Sequence, residues 1–256
     1  MPRFSANLGY LWTDRPLPEA IRAAKVAGFH AVECHWPYDV PVAEVRRALS
    51  ETGLPMLGLN TRRGDVAKGE AGLAALPGRE EEARRAIDEA VAYAVEIGAR
   101  NIHVMAGNAS GHAADDVFRT TLAYASARAA DHGKTILIEP LNAHDAPGYF
   151  LTTTAQAKAI IDGLARPNLR LMFDCYHVGR TEGDVAGRLS ALLPVIGHIQ
   201  FAAVPDRGAP DHGDVDFDAV FARIDALGWD KPLGAEYRPS GETDASLAWM
   251  ARYAAP

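Results

Sequence analysis

The feature that most restricts the fold of this chain is a rhythm: runs of β-forming residues alternate with runs of apolar residues at helical spacing from end to end. RFSANL (3 to 8) leads into PEAIRAAKVAGF, and HAVECH (30 to 35) into VAEVRRALSETG. LPMLGLN (54 to 60) passes through a polar, glycine-rich insertion into a long helix over 79 to 98, and NIHVMAG (101 to 107) precedes a helix from Ala114 to His132. KTILIE (134 to 139) precedes TAQAKAIIDGLA, and LRLMFD (169 to 174) precedes VAGRLSALLP. VIGHIQFA (195 to 202) precedes DFDAVFARIDALG, and PLGAEY (232 to 237) precedes a terminal helix, ASLAWMARYA. Gly28, Gly53 and Gly133 stand where helices should stop.

Alternation of this kind implies a parallel sheet with helical crossovers. Eight such units in 256 residues predict a single (β/α)8 barrel, one domain over residues 1 to 256 with no linker or composition shift. An open doubly wound sheet fits less well, since neither GxGxxG after a first strand nor GxxxxGK[ST] is present. The chain is 48% hydrophobic and 23% charged, enough to bury a large core, and its net charge of -7 argues against a nucleic-acid binder. Cys34 and Cys175 lack the spacing of a disulfide framework or a zinc site, which fits a reducing cytoplasm. The start, MPRFSANLGYLW, does not read as an export signal, and no apolar stretch is long enough to span a membrane. The expectation is a soluble, cytoplasmic protein with no membrane partner.

Three of the β-forming runs finish on an acid. Glu139, Asp174 and Glu236 close strands five, six and eight, and Gln200 lies late in strand seven. In a barrel of this type all C-terminal strand ends open on one face, where active sites are assembled, so four consecutive strands would offer Glu, Asp, Gln and Glu to one small volume. Singly, an acid at a strand end reads as a helix cap or a solvated loop residue. Jointly, three carboxylates would repel one another unless a cation sat among them. The economical expectation is a divalent metal with the Gln200 side-chain oxygen as a neutral fourth ligand. An all-oxygen set suits Mg2+ or Mn2+, with Zn2+ or Co2+ as alternatives.

IEPLN (138 to 142), FDCYH (173 to 177), GHIQ (197 to 200) with PDRGAP (205 to 210), and EYRP (236 to 239) resemble, in order and spacing, the hydroxypyruvate isomerase family of xylose-isomerase-like TIM barrels. RFSANL, PYD (37 to 39) and LPGREEE (76 to 82) extend the similarity over almost the whole chain. The resemblance implies that Glu139, Asp174, Gln200 and Glu236 bind a divalent metal, that the two glutamates are the acid/base pair, and that His177 and Arg207 bind substrate oxygens. Related sugar epimerases usually carry histidine where Gln200 stands, and a homo-oligomer is plausible by likeness alone. The chain departs from the family after Gln200 (FAAVP), after Arg207 (Gly208 to Gly213) and in NTRRGD (60 to 65). These departures lie around the substrate rather than the metal.

The expected reaction interconverts hydroxypyruvate and tartronate semialdehyde through an enediolate, with proton transfer by Glu139 and Glu236. Arg207 offers the planar donor fork that a substrate carboxylate needs; Arg62, Arg63 and Arg238 are weaker candidates. His103 and His198, inside strands, read as satisfied interior histidines, Trp36 as a pocket wall and Cys175 as small filler. Two rival enzymes share such a barrel. One is an isomerase or epimerase of a longer sugar or an oxo-tetronate; the other is an abasic-site endonuclease, which resembles a histidine-rich, multi-zinc protein with a basic groove. A non-catalytic sugar-acid sensor would need the metal set broken, and all four candidates are present.

Overall fold

The β-forming runs pair in the order that the alternation implies. In a computed structural model of the chain, which describes residues 2–253, the strands are β1 (Phe4–Asn7), β2 (Ala31–Glu33), β3 (Gly58–Asn60), β4 (Asn101–His103), β5 (Thr135–Ile138), β6 (Leu169–Asp174), β7 (Ile196–Phe201) and β8 (Leu233–Ala235). All pair in parallel, in the order β2-β1-β8-β7-β6-β5-β4-β3. The two ends of that order meet through a bridge between Val32 and Met56 and four backbone bonds: Val32 to Pro55, Leu57 to Val32, Cys34 to Gly58 and Asn60 to His35. This seam closes the (β/α)8 barrel that the alternation predicts.

Regular pairing is shorter than the β-forming runs, as in β3, which pairs over Gly58–Asn60 within LPMLGLN. The missing length is carried by the irregular bonds of the seam. The strands are buried on both faces, since the inner side chains fill the barrel and the outer ones meet helices.

The helices are α1 (Leu17–Val26), α2 (Val42–Thr52), α3 (Glu80–Ile97), α4 (His112–Ala130), α5 (Thr154–Leu164), α6 (Cys175–Thr181), α7 (Val185–Leu192) and α8 (Phe217–Ala226). In α3 the buried face runs Ala83, Ala86, Ile87, Ala90, Val91, Ala94, Ile97, a three-and-four spacing whose alanines let the helix lie close to the sheet. Gly53 and Gly98 end α2 and α3 in the left-handed region, with φ of 67° and 72°. None of the helices among the described residues is long and apolar enough to cross a membrane.

Two segments differ from expectation. The stretch between LRLMFD and VAGRLSALLP, which the sequence pattern reads as a loop, is the short helix α6, because the Asp174 side chain caps it by accepting from the Tyr176 N–H. The terminal segment Asp244–Tyr253 is a 3-10 helix, begun by Ser246, whose N–H and Oγ both donate to the carbonyl three residues back at Thr243. Ala254, the last residue of the helix anticipated there, lies outside the described residues. Trp249 pins this segment to the outer face of β1 and β7, its ring 4.8 Å from Phe4 and 5.5 Å from Phe201, both edge-on.

Candidate active site

The strand ends line up as the register requires. Asp174 is paired with Gln200 and Gln200 with Gly234, so Glu236, two residues beyond Gly234, rises beside them. Glu139 follows the last residue of β5. Glu139, Asp174, Gln200, Glu236, His177 and Arg207 are all buried.

What these groups lack is as informative as what they hold. Glu139 Oε1, Asp174 Oδ2 and Gln200 Oε1 are buried acceptor oxygens with no hydrogen-bond donor. Buried acceptors without a donor are costly unless something positive joins them. Burial, with Glu236 and Asp174 adding repulsion, holds the Glu139 carboxyl well above its usual range, and burial pushes Asp174 up to about 7 against the pull of Arg207.

Glu236 is the opposite case. Its Oε1 accepts from Asn7 Nδ2 at 2.8 Å and His35 Nε2 at 3.0 Å, and its Oε2 from Arg207 Nη2 at 2.6 Å. Burial alone would raise its pKa, but Arg207 and His35 outweigh it and hold the carboxylate down at about 2. Arg207 lies between two aromatic faces, 4.7 Å from the Tyr10 centroid and 4.8 Å from that of Tyr176, and is also 3.6 Å from Asp174. Its backbone is left-handed, φ 60°, a strained setting for arginine that the tight turn after β7 imposes.

Glu139, Asp174 and His177 offer atoms close enough to hold a metal. The hydrogen bonding of His177 decides its part. The backbone N–H of Asn142 donates to His177 Nδ1 at 3.0 Å, so Nδ1 is the acceptor and Nε2 carries the proton. That N–H points toward Asp174 Oδ2 at 3.7 Å and Glu139 Oε1 at 4.0 Å, the position of a donor rather than a ligand. The donors left for a cation are oxygens.

Of the weaker arginine candidates, Arg62 is exposed and bonded to Glu89 at 2.7 and 3.1 Å, outside the cluster. Arg63 stacks on Trp36, 3.7 Å from the ring, and Arg238 lies 5.8 Å from the Tyr10 ring. Trp36 leans on His35, centroids 4.9 Å apart, and so backs the imidazole that binds Glu236. Gly9 makes room for that imidazole: a Cβ there would fall 2.1 Å from His35 Nδ1. His198 is satisfied, donating from Nε2 to Glu33 Oε2 at 2.5 Å. His103 is not; both ring nitrogens lack a partner, its Nδ1 lies 3.7 Å from Glu139 Oε2, and burial lowers its pKa to about 3. Sequence reasoning missed Asn7 and Glu33. Asn7 and Glu33 end β1 and β2 as Asp174 ends β6, so the same strand-end rule applied to the first half would have found them.

A closed parallel barrel with buried, mutually repelling acids at the C-terminal ends of its strands is the construction of a barrel enzyme acting on a small polar molecule. The comparisons agree. The family model for xylose isomerase-like TIM barrels matches residues 21–253. The chain is 44% identical to 2-oxo-tetronate isomerase of Cupriavidus necator, over 99% of each chain, and 35% identical to hydroxypyruvate isomerase of Escherichia coli, over 99% of this chain and 100% of that one. It superposes on a crystal structure described as AP endonuclease, family 2, from Brucella melitensis with a TM-score of 0.95 at 36% identity, each covered in full. The chain belongs to the xylose isomerase-like TIM barrel family, and it is an isomerase of the hydroxypyruvate isomerase and 2-oxo-tetronate isomerase kind.

Proposed function

We propose that the chain is a metal-assisted aldose–ketose isomerase of short 2-oxo-3-hydroxy acids, with hydroxypyruvate and tartronate semialdehyde as the first pair to test. The observation that carries this reading is the set of three buried, donorless oxygens on Glu139, Asp174 and Gln200. Those three, with Glu236, would hold a divalent ion, which when bound would acidify the C–H next to the substrate carbonyl and stabilise the enediolate. The fit is chemical: hard oxygen donors and an excess of negative charge at one point suit Mg2+ or Mn2+.

The chain's own groups supply the rest. A glutamate takes the proton from C3, the electron pair forms the C2–C3 double bond and the carbonyl pair moves onto O2; the O3 hydroxyl proton then passes to O2, the O3 pair forms the new carbonyl at C3, and the double-bond pair takes a proton at C2 from a glutamate, so carbonyl and hydroxyl change places. Glu139 and Glu236, at the ends of β5 and β8, are the two groups proposed for these transfers. Glu236 is quenched by Arg207, and a substrate carboxylate competing for that guanidinium would release Glu236 Oε2 and restore its basicity. The His177 Nε2–H, fixed by Asn142, can donate to a substrate oxygen.

A four-carbon substrate is the second reading, favoured by the 44% identity to a 2-oxo-tetronate isomerase. The two substrates differ only in whether C3 bears hydrogen or a hydroxymethyl group, and the carbonyl shift is the same. Turnover of hydroxypyruvate against 2-oxo-tetronate, with Mn2+ or Mg2+ added to chelator-treated protein, separates them. Turnover of the four-carbon acid alone would replace the first reading, and turnover of neither would refute the class. Glu139→Gln and Glu236→Gln should each lower kcat by about 10²–10⁴-fold in a folded protein; full activity in both would refute the proton-transfer roles.

A further inference from the structure

The acid that ends β2 has no part in the chemistry above, yet it is heavily bonded. Glu33 is buried and accepts from three side chains: Oε1 from Asn7 Nδ2 at 3.0 Å and Gln200 Nε2 at 2.8 Å, and Oε2 from His198 Nε2 at 2.5 Å. The packing is built for this pair. A Cβ on Gly234 would stand 2.5 Å from Glu33 Oε1 and 2.8 Å from Gln200 Cγ, so the neighbouring strand carries no side chain where they meet. Asn7 Nδ2 also donates to Glu236 Oε1 at 2.8 Å, which ties Glu33 to the far side of the site.

A glutamine amide can turn end for end with almost no change of shape, exchanging a donor for an acceptor. A carboxylate only accepts, so Glu33 draws Gln200 Nε2 to itself and turns Oε1 the other way. That oxygen is buried without a donor, on the residue paired in register with Asp174. The geometry points to Glu33 as the positioning residue that makes Gln200 an oxygen donor to the cation, a role resting on the metal-assisted reading above. With the amide free to turn, the oxygen would no longer be fixed toward the ion in advance, and binding would carry the cost of orienting it.

The test is Mn2+ binding, followed by the electron paramagnetic resonance signal of the free ion, in the intact chain and in two variants. Wild type should bind. Glu33→Gln should bind about 10–100-fold more weakly, the usual cost of losing a group that orients a ligand, with thermal unfolding close to wild type. Adding Gln200→Glu to Glu33→Gln exchanges donor and acceptor: the new amide donates, the new carboxylate keeps an oxygen for the ion, and binding should largely recover. Unchanged affinity in Glu33→Gln, or a loss that the exchanged pair does not recover, overturns the positioning role and leaves the metal reading standing. A wild-type chain that binds no Mn2+ overturns both. Nuclear magnetic resonance of wild type keeps the idea testable should a variant misfold. Adding Mg2+ should shift the Gln200 side-chain carbonyl while its bonded N–H stays protected from exchange. A Mg2+ response in the N–H2 group without one in the carbonyl overturns the proposal.

Discussion

Asp174 shows how much one carboxylate can be asked to do. Its Oδ1 accepts from the Tyr176 N–H and starts α6, while Oδ2 is left buried and donorless toward Glu139 and His177. The two readings that compete for an acid at a strand end, cap and site residue, are both true of it, one on each oxygen. Its raised pKa sets a pH dependence whose sign can be worked out. A carboxyl ordinarily near 3.8 that titrates at about 7 in the fold binds a proton on folding, so the metal-free chain loses stability as pH rises from about 4 to 7. Glu139 works in the same direction. Glu236, held at about 2, works in the other: its contribution is present above the ordinary carboxylate value and lost as pH falls toward 2. Thermal unfolding of chelator-treated protein should therefore decline between pH 5 and 7, and Asp174→Asn should flatten the decline while keeping the cap oxygen. A decline of equal steepness in Asp174→Asn would show that another group carries it.

At the scale of the element, legibility in the sequence followed repetition. Helices such as α3 announce themselves through a buried alanine and isoleucine face that recurs every three or four residues. The strands announce themselves as apolar runs, but their paired length does not, because β2 and β3 are finished by irregular bonds that no propensity describes. The strand-end acids were legible once a common face was assumed. Arg207, Asn7 and His35 were harder: their partnership with Glu236 joins residues 29, 229 and 201 positions apart, a distance only the closed barrel removes. The 3-10 winding of Asp244–Tyr253 was invisible, since it depends on one serine at Ser246 and on the anchorage of Trp249. Trp249→Ala should cost about 3–5 kcal/mol, because it empties a fully enclosed site under Phe4 and Phe201. Below its lowered melting temperature it should still bind Mn2+ like wild type, since the ring sits apart from the acids. Calorimetry and ion titration on one sample check both halves.

On the scale of the whole molecule, the barrel divides its labour unevenly. β5, β6, β7 and β8 bring the donorless oxygens and Glu236, while β1 and β2 bring Asn7 and Glu33, which hold them in place. Between the two groups, inside the barrel, lies a small void of about 20 Å3, enough for roughly one water, lined by apolar side chains such as Leu59, Leu137 and Met172 as well as by Glu33, His198 and Gln200. The interior of this barrel is therefore part of the site as well as its support.

The β2–β3 seam also makes the molecule its own clock. Cys34 is buried at that seam, its N–H bonded to Gly58 across it, while Cys175 is buried at the start of α6 against the most extensively paired strands. A thiol reagent reaches either sulfur only when the structure around it opens, so the two labelling rates time two separate events. Cys34 should react first, at a rate set by brief parting of the seam, and Cys175 later, at a rate that follows global unfolding in denaturant. Simultaneous labelling of both would mean that the barrel opens only as a whole.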